Sequence, residues 1–376
     1  MSNAKKLLLA VAALECGAAV ACTSFAVHPT VSETGRMLLQ KCRDSSLGRP
    51  DAEMVTAPSG RRWMRIGSNG GAMFAMNDRG VAITVNTGNK LEGPTIPRKA
   101  SPHSVSLFAR VMEECSTAKD GIALIEKHFR NPAGIYIIAD AKRAFLVESG
   151  AGYGEHAEIS GGILVVANEM HLPGIEEYTT SSERGAARQR AREANTRAAL
   201  RRGRDKTGRY TRRGMFAASR IPCGNTVRTQ NVFRRMSKSG VGSVSAVCFE
   251  PDPEFPGYLS TAYIALGPQR HTLYLPCPMA LEQFPAKMRD GRWSAAAVSL
   301  RARQGEANPL LPRIVALENK LLAEYDRARE EARALLRAGR IAEAKKLLND
   351  HFAGAFAKAD ALMTELADRA PVNAER

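Results

Sequence analysis

The order of periodic segments along this 376-residue chain predicts an α+β domain, sheets layered against helices, with a helical hairpin at the C-terminal end. Three observations predict it. Short apolar runs punctuated by Gly and Asn turns dominate from Cys22 to about Gly161 and return from Ser243 to Leu275. Two stretches of helical period interrupt the first set, and a basic helical stretch separates the two sets. From about Asn308 the chain becomes two long amphipathic stripes broken by Gly339.

Taken in order, Thr23 to Val27 and Met37 to Lys41 are strand-like runs either side of the turn Thr34-Gly35-Arg36, which reads as a hairpin. Gly48 to Met64 reads as a loop. Ala72 to Met76 and Val81 to Val85 flank Asn77-Asp78-Arg79-Gly80, a turn sequence. Val105, Leu107, Phe108, Val111 and Met112 recur at helical spacing within Ser104 to Cys115, and Ala118 to Phe129 continues as a second helix. Gly134 to Ala139 and Arg143 to Glu148 form a strand pair, and Gly162 to Ala167 is an apolar strand ending at Asn168. Residues 181–220 look helical and basic. Strands resume at Ser243 to Cys248, Leu259 to Ala265 and His271 to Leu275. Ile314, Leu317, Leu321 and Tyr325 begin one closing stripe, and Ile341, Ala344, Leu348 and Phe352 the other. They read as an αα-hairpin that packs on the domain, with a dimer contact, and so a homo-oligomer, as the alternative.

Residues 1–21 look like a secretory leader. Lys5 and Lys6 are basic, Leu7 to Leu14 is apolar, and Ala19-Val20-Ala21 offers small residues at −3 and −1. The apolar stretch is too short to span a bilayer, so no membrane span is expected. Removal of the leader would make Cys22 the first residue and locate the protein outside the cytoplasm, in a periplasmic or extracellular space. Self-cleavage of a propeptide would expose the same residue. A lipid-anchor reading has Ala19 where a lipobox carries leucine. Acylation would consume both the thiol and the amine, so it excludes catalysis at Cys22. The division expected is leader 1–21, main domain 22–300 and helical extension 301–376.

Apolar residues make up 44% and charged residues 24%, which places the chain among globular rather than disordered proteins. The net charge of +16 is concentrated between Arg184 and Arg213. That segment reads as a solvated helix followed by a loop, the alternative being a surface for anionic partners. Tyr210 is its one aromatic residue, so base stacking has little support and no nucleic-acid partner is expected. No CxxC pair, zinc-ligand spacing or phosphate-cradling glycine loop occurs, so no cofactor is implied.

Five stretches in order resemble one family. Cys22-Thr23-Ser24-Phe25 followed by Arg43-Asp44 resembles the opening of N-terminal-nucleophile (Ntn) hydrolases of the linear amide C–N hydrolase type, the peptidase C45 or penicillin acyltransferase-like and choloylglycine hydrolase-like groups. Met76-Asn77-Asp78-Arg79-Gly80-Val81-Ala82 resembles their MNEKGLA turn, with Asn86 closing the next strand. Val165-Val166-Ala167-Asn168 resembles their strand ending in asparagine, Ser181-Ser182-Glu183-Arg184 their serine–arginine pair, and Ser243 to Pro276 their closing hairpins. The resemblance covers roughly residues 22–290. It implies a four-layer αββα sandwich and an exported cysteine amidohydrolase or acyltransferase that works through a thioester on a small acyl-amide substrate. Alternatives are a dipeptidase, a bile-salt-type hydrolase, or a non-catalytic surface lipoprotein or binding module.

In such a site the Cys22 thiol attacks the amide carbonyl. Its own α-amine, with a reference pKa of ~7.7–8.0, takes the proton and returns it to the leaving nitrogen. By resemblance, Asn168 and Asn86 donate to the oxyanion. Asp44 holds the Cys22 amine, and Arg43 favours the thiolate. Arg43 and Asp44 alternate along one strand, so only one of them faces the site, and Asp44 is the expected one. The bland readings are that Asn168 ends a strand, that Asn86 and Gly88 make a turn, and that Glu148 ends another strand. His171 invites a papain-type pairing, but no papain-like signature surrounds Cys22.

Overall fold

The computed structural model describes residues 22–46, 49–68, 71–88, 104–127, 134–150, 153–175, 178–237 and 240–369. Residues 1–21, expected as a leader, lie outside them.

The chain runs β1 (Thr23–Val27), β2 (Leu38–Ser45), β3 (Pro50–Thr56), β4 (Arg62–Ser68), β5 (Gly71–Asn77), β6 (Ala82–Thr87), α1 (Ser104–Glu114), α2 (Ala118–Glu126), β7 (Gly134–Ala139), β8 (Ala144–Gly150), β9 (Tyr153–Glu158) and β10 (Ile163–Val166). Next come α3 (Glu183–Arg202), α4 (Arg212–Ser219), β11 (Gly242–Glu250), α5 (Pro256–Leu259), β12 (Thr261–Leu266), β13 (Leu275–Pro278) and α6 (Ala286–Arg289). The chain closes with α7 (Arg292–Gln304), α8 (Leu311–Arg337) and α9 (Ile341–Arg369). A six-stranded sheet has the order β10-β1-β2-β11-β12-β13, and a seven-stranded sheet runs β3 to β9 in sequence. Every pairing within them is antiparallel.

Three apolar layers show how these parts stack. Ala26, Leu39, Val247 and Ile264 of the six-stranded sheet meet Met64, Ile66, Phe74 and Ile137 of the seven-stranded sheet. The opposite face of the six-stranded sheet, with Phe25, Leu38 and Cys248, packs on Phe216 of α4 and on Tyr325 and Leu348 of the last two helices. The outer face of the other sheet, with Ile83, Tyr136 and Ile138, packs on Phe108 of α1 and Ile125 of α2. The result is a four-layer αββα sandwich. Alternation along each strand sends successive side chains into different layers, which is why both faces of these sheets are apolar. The C-terminal hairpin shares this interior: Ile314, Leu321 and Phe352 join the layer between the sheets.

Local chemistry explains several elements. The turn between β5 and β6 closes on Asn77, whose Oδ1 accepts from the N–H groups of Arg79 and Val81, both at 3.0 Å. Gly80 then takes a φ of 78°, which glycine adopts without a Cβ penalty. Asn77 Nδ2 also donates to the carbonyls of Met112 and Cys115, docking the end of α1 on the turn. Helix α2 starts with a capping box between Thr117 and Asp120.

Of the stretch 48–64, expected as a loop, residue 48 lies outside the described residues, and the remainder forms β3 and the start of β4. Its charges are cross-strand partners: Arg65 bonds Asp51 at 2.7 Å and Glu53 at 3.0 Å. The strand expected at His271 to Leu275 lies later, at Leu275–Pro278. Pro276 and Pro278 are tolerated there because β13 is an edge.

A buried ionic network fastens α8 to the end of β11. Arg329 reaches Glu250 at 2.8 Å, and Arg333 reaches Asp252 at 2.6 Å. Burial pushes both carboxyls up, but the guanidiniums outweigh it. Glu250 is held well below the usual carboxylate range, and Asp252 falls to about 2. Such depressed groups stabilise the fold above their unfolded pKa, and that stability is lost as pH falls towards the folded value. Stability should therefore decline between about pH 4.5 and pH 2. Arg329→Met, which strands buried carboxylates, should cost about 3–5 kcal/mol in urea unfolding at pH 7.

Candidate functional site

Cys22 precedes β1 and is buried. The ladders on either side fix its neighbours. Ser24 lies opposite Val166 of β10 and opposite Lys41 of β2. Continuing the β1–β2 register one residue past Thr23 and Cys42, and the β1–β10 register two residues past Ser24 and Val166, sets Cys22 between Asn168 and Arg43. Directly opposed residues share a face, so Asn168, Cys22 and Arg43 form one row and Val166, Ser24 and Lys41 the next. This face looks into the space between the sheets, since Ala26 and Leu39 of the third row belong to that apolar layer.

Asn86, on β6 of the facing sheet, meets the second row. Its Oδ1 accepts from Ser24 Oγ at 2.7 Å and from Lys41 Nζ. Its Nδ2 donates to the carbonyls of Ala167 at 2.5 Å and Val166 at 3.2 Å. This orientation of the amide is the one that satisfies every group, because carbonyls need donors and an ammonium needs an acceptor. Both amide hydrogens are thereby committed. In this arrangement Asn86 holds the end of β10, and its use as the second oxyanion donor expected from the sequence would require one of these bonds to be released. Asn168 Nδ2 donates to the carbonyl of Thr87 at 2.7 Å, a second tie to β6.

Lys41 has no counterpart among the sequence expectations. It is fully buried, its Nζ is hydrogen-bonded to Asn86, and it lies on the Cys22 face, one row from that thiol. Burial pulls its pKa below the ordinary lysine value, opposed by Cys22, Cys42 and Asp44. In the sequence it ends an apolar run. A lysine at an inward position of a strand buried on both faces was the available signal.

Arg43 and Asp44 fall on opposite faces of β2. Arg43 Nη1 donates to Ser68 Oγ of β4 at 2.8 Å, across the gap between the sheets. Asp44 faces the helices, where its Oδ1 accepts from Ser243 Oγ at 2.6 Å. Only one of the pair shares the Cys22 face, and it is Arg43. The expectation that Asp44 would be that residue fails on strand parity, which adjacent positions in a motif do not reveal.

Helix α3 buttresses the row from outside. Glu193 Oε1 accepts from the Ala167 N–H at 2.9 Å and contacts His171 Nε2 at 3.0 Å, while Arg197 donates to the Val165 carbonyl at 2.9 Å. Glu148 lies inside β8 rather than at its end, and accepts from the N–H groups of His171 and Leu172 at 2.7 and 2.8 Å. His171 is thus tied to carboxylates that shape the loop after Asn168. The arginine-rich segment is only partly solvated: Arg192 is buried on the Asp44 side.

The six described cysteines are free and buried. Burial pushes Cys42 up to about 12 and Cys115 up to about 11, and holds Cys248 and Cys277 well above the usual thiol value. Among the six, Cys22 is the one on the same face of the sheet as the buried Lys41 amine. A thiol beside an amine can pass its proton over and become a nucleophile. Among the described residues, no group of three or more His, Cys, Asp or Glu is placed to hold a metal ion.

Burial raises the Asp44 carboxyl to about 6, against Arg192, Ser243, Arg234 and Lys41. A carboxyl raised on folding contributes stability below its unfolded pKa of about 3.9 and loses it as pH rises through the folded value. Wild-type stability relative to Asp44→Asn should therefore fall between about pH 4 and pH 7 and level off above that, as read from urea unfolding of both proteins across this range.

No family model matches the sequence, and no curated protein does. Among solved structures, the chain is similar to the Caenorhabditis elegans ortholog of N-acylethanolamine-hydrolyzing acid amidase. The TM-score is 0.38 at 10% identity, over 62% of this chain and 95% of that one. It is also similar to penicillin V acylase from Agrobacterium tumefaciens, with a TM-score of 0.34 at 13% identity over 65% and 86% of the two chains. A third is a single-residue variant of conjugated bile acid hydrolase from Clostridium perfringens, with a TM-score of 0.35 at 9% identity over 69% and 92%. These likenesses are distant and assign no role to any residue of this chain.

Proposed function

We propose that this protein is an exported cysteine amidohydrolase or acyltransferase of the Ntn type, which cleaves a linear acyl amide through a thioester on Cys22. What supports the reading is that the β1–β10 and β1–β2 registers, carried past the strand ends, line Cys22 up with Asn168 and Arg43 on the face towards the other sheet. That alignment sets a thiol, an amide donor and a guanidinium side by side. Cys22 Sγ attacks the substrate carbonyl, and negative charge moves to the carbonyl oxygen. Asn168 is the side-chain donor for that oxygen, and one such donor is typically worth about 3–4 kcal/mol of barrier. Arg43 adds positive charge beside the developing anion. Collapse of the intermediate expels the amine, and water or an acceptor amine then releases the acyl group.

When the chain begins at Cys22, its α-amine is available as the base that moves the proton from thiol to leaving nitrogen. An intact mass of the exported protein starting at unmodified Cys22 supports this reading, and a diacylglycerol adduct sinks it. A screen of acyl-amino acids, acyl amines, penicillins and bile-salt conjugates identifies the amide.

Cys22→Ala should abolish acyl-amide hydrolysis while circular dichroism and melting stay unchanged; full residual activity would falsify the nucleophile assignment. Asn168→Ala should lower kcat by roughly 10²–10³ with a smaller change in KM. A change confined to KM removes Asn168 from the oxyanion site.

A further inference from the structure

We propose that Lys41 is a catalytic amine for Cys22, able to take the thiol proton whether or not the Cys22 nitrogen is a free α-amine. The assignment rests on Cys22 being the nucleophile, as proposed above. Three observations support it. Lys41 stands opposite Ser24 on the face that Cys22 shares, one row away, and its amine and the Cys22 thiol act on each other electrostatically. Its hydrogen-bond partner, Asn86, is fixed by three further hydrogen bonds and so aims the amine. The residue is fully buried between the sheets, where a lysine without a task is costly. Burial lowers its pKa, which raises the share of neutral amine near physiological pH. The groups that act on this amine are Cys22 from the head of β1, and Cys42 and Asp44 from its own strand. Arg43 lies one row away, and β6 presents the neutral amide of Asn86.

The proton balance closes on this residue. Neutral Lys41 takes the proton from Cys22 Sγ and becomes the ammonium. The thiolate forms the S–C bond as the carbonyl π pair moves to oxygen. On collapse the C–N bond breaks, and the ammonium gives its proton to the leaving nitrogen. A water then loses a proton to Lys41 as its oxygen bonds the thioester carbon. The C–S bond breaks, and the thiolate recovers that proton from Lys41.

The test compares the full chain with a chain beginning at Cys22. Each is made as wild type, Lys41→Met and Lys41→Arg, with Cys22→Ser as the blank. Two readouts are taken: the rate at which iodoacetamide modifies Cys22 at pH 7, followed by intact mass, and turnover of a chromogenic acyl anilide. Lys41→Met should slow alkylation by about tenfold or more in both chains. Lys41→Arg should keep alkylation within about threefold while turnover falls at least about a hundredfold, because a guanidinium keeps its charge but does not release a proton. The proposal is overturned if Lys41→Met alkylates as fast as wild type, or if only the chain with a free α-amine reacts. Should Lys41→Met fail to melt cooperatively, Lys41→Arg decides, and undiminished turnover in it overturns the proposal. Alkylation that depends on Lys41, with no amide in the screen turned over, supports the role of Lys41 and overturns the amidase reading instead.

Discussion

The amide of Asn86 is the polar tie on which the arrangement around Cys22 depends. It stands between two sheets whose facing surfaces are largely apolar away from this end, and its four hydrogen bonds reach β1, β2 and the end of β10. Each buried group left without a partner would cost about 1–3 kcal/mol, so the set tends to form together or not at all. Sliding β6 against the six-stranded sheet would break several of these bonds at once. The tie therefore fixes the spacing of the sheets at the point where Cys22, Lys41 and Asn168 converge.

A second polar system does related work further out. Glu250 and Asp252, at the end of β11, gather arginines from α4 and α8 and from the turn before β2. Part of the arginine content of the chain is consequently internal and paired with carboxylates. Arg192, Arg212, Arg220, Arg329 and Arg333 are all buried. Such pairs cancel in the net charge, so they take arginine off the surface without changing the net charge of +16. Breaking such a pair strands a charge, which is why one partner cannot be changed alone without loss.

Much of the fold was legible because apolar period is set by burial and survives substitution of one apolar residue for another. The strands β1, β5, β6, β7 and β10 and the helices α1, α8 and α9 lie close to where period and turn residues set them. The pair β3 and β4 was illegible because Asp51, Glu53 and Arg65 look like loop charges until their cross-strand pairing is seen. β13 was shifted because its prolines, harmless at an edge, read as breakers. Of the candidate site, Cys22, Asn168 and Arg43 are brought into one row, and Asn86 abuts it. Asp44 goes to the far face, since a motif of adjacent residues does not say which parity points inward. Lys41 escaped notice because the significance of a strand lysine lies in its facing a thiol, a relation carried by register and not by spacing. Glu193 is the same case from a helix.

The contacts from α3 to β10 have one more consequence. Val165 and Ala167 turn their carbonyl and N–H away from β1, and Arg197 and Glu193 occupy those groups. At the opposite edge, β13 carries two prolines that have no N–H to give. Both margins of the sheet that carries Cys22 thus have part of their outward main-chain groups taken or missing, which weakens them as templates for an added strand. On the amidase reading proposed above, an amide at Cys22 would be met by side chains in the gap between the layers, a mode of recognition that follows the shape of the acyl group more than the backbone that carries it.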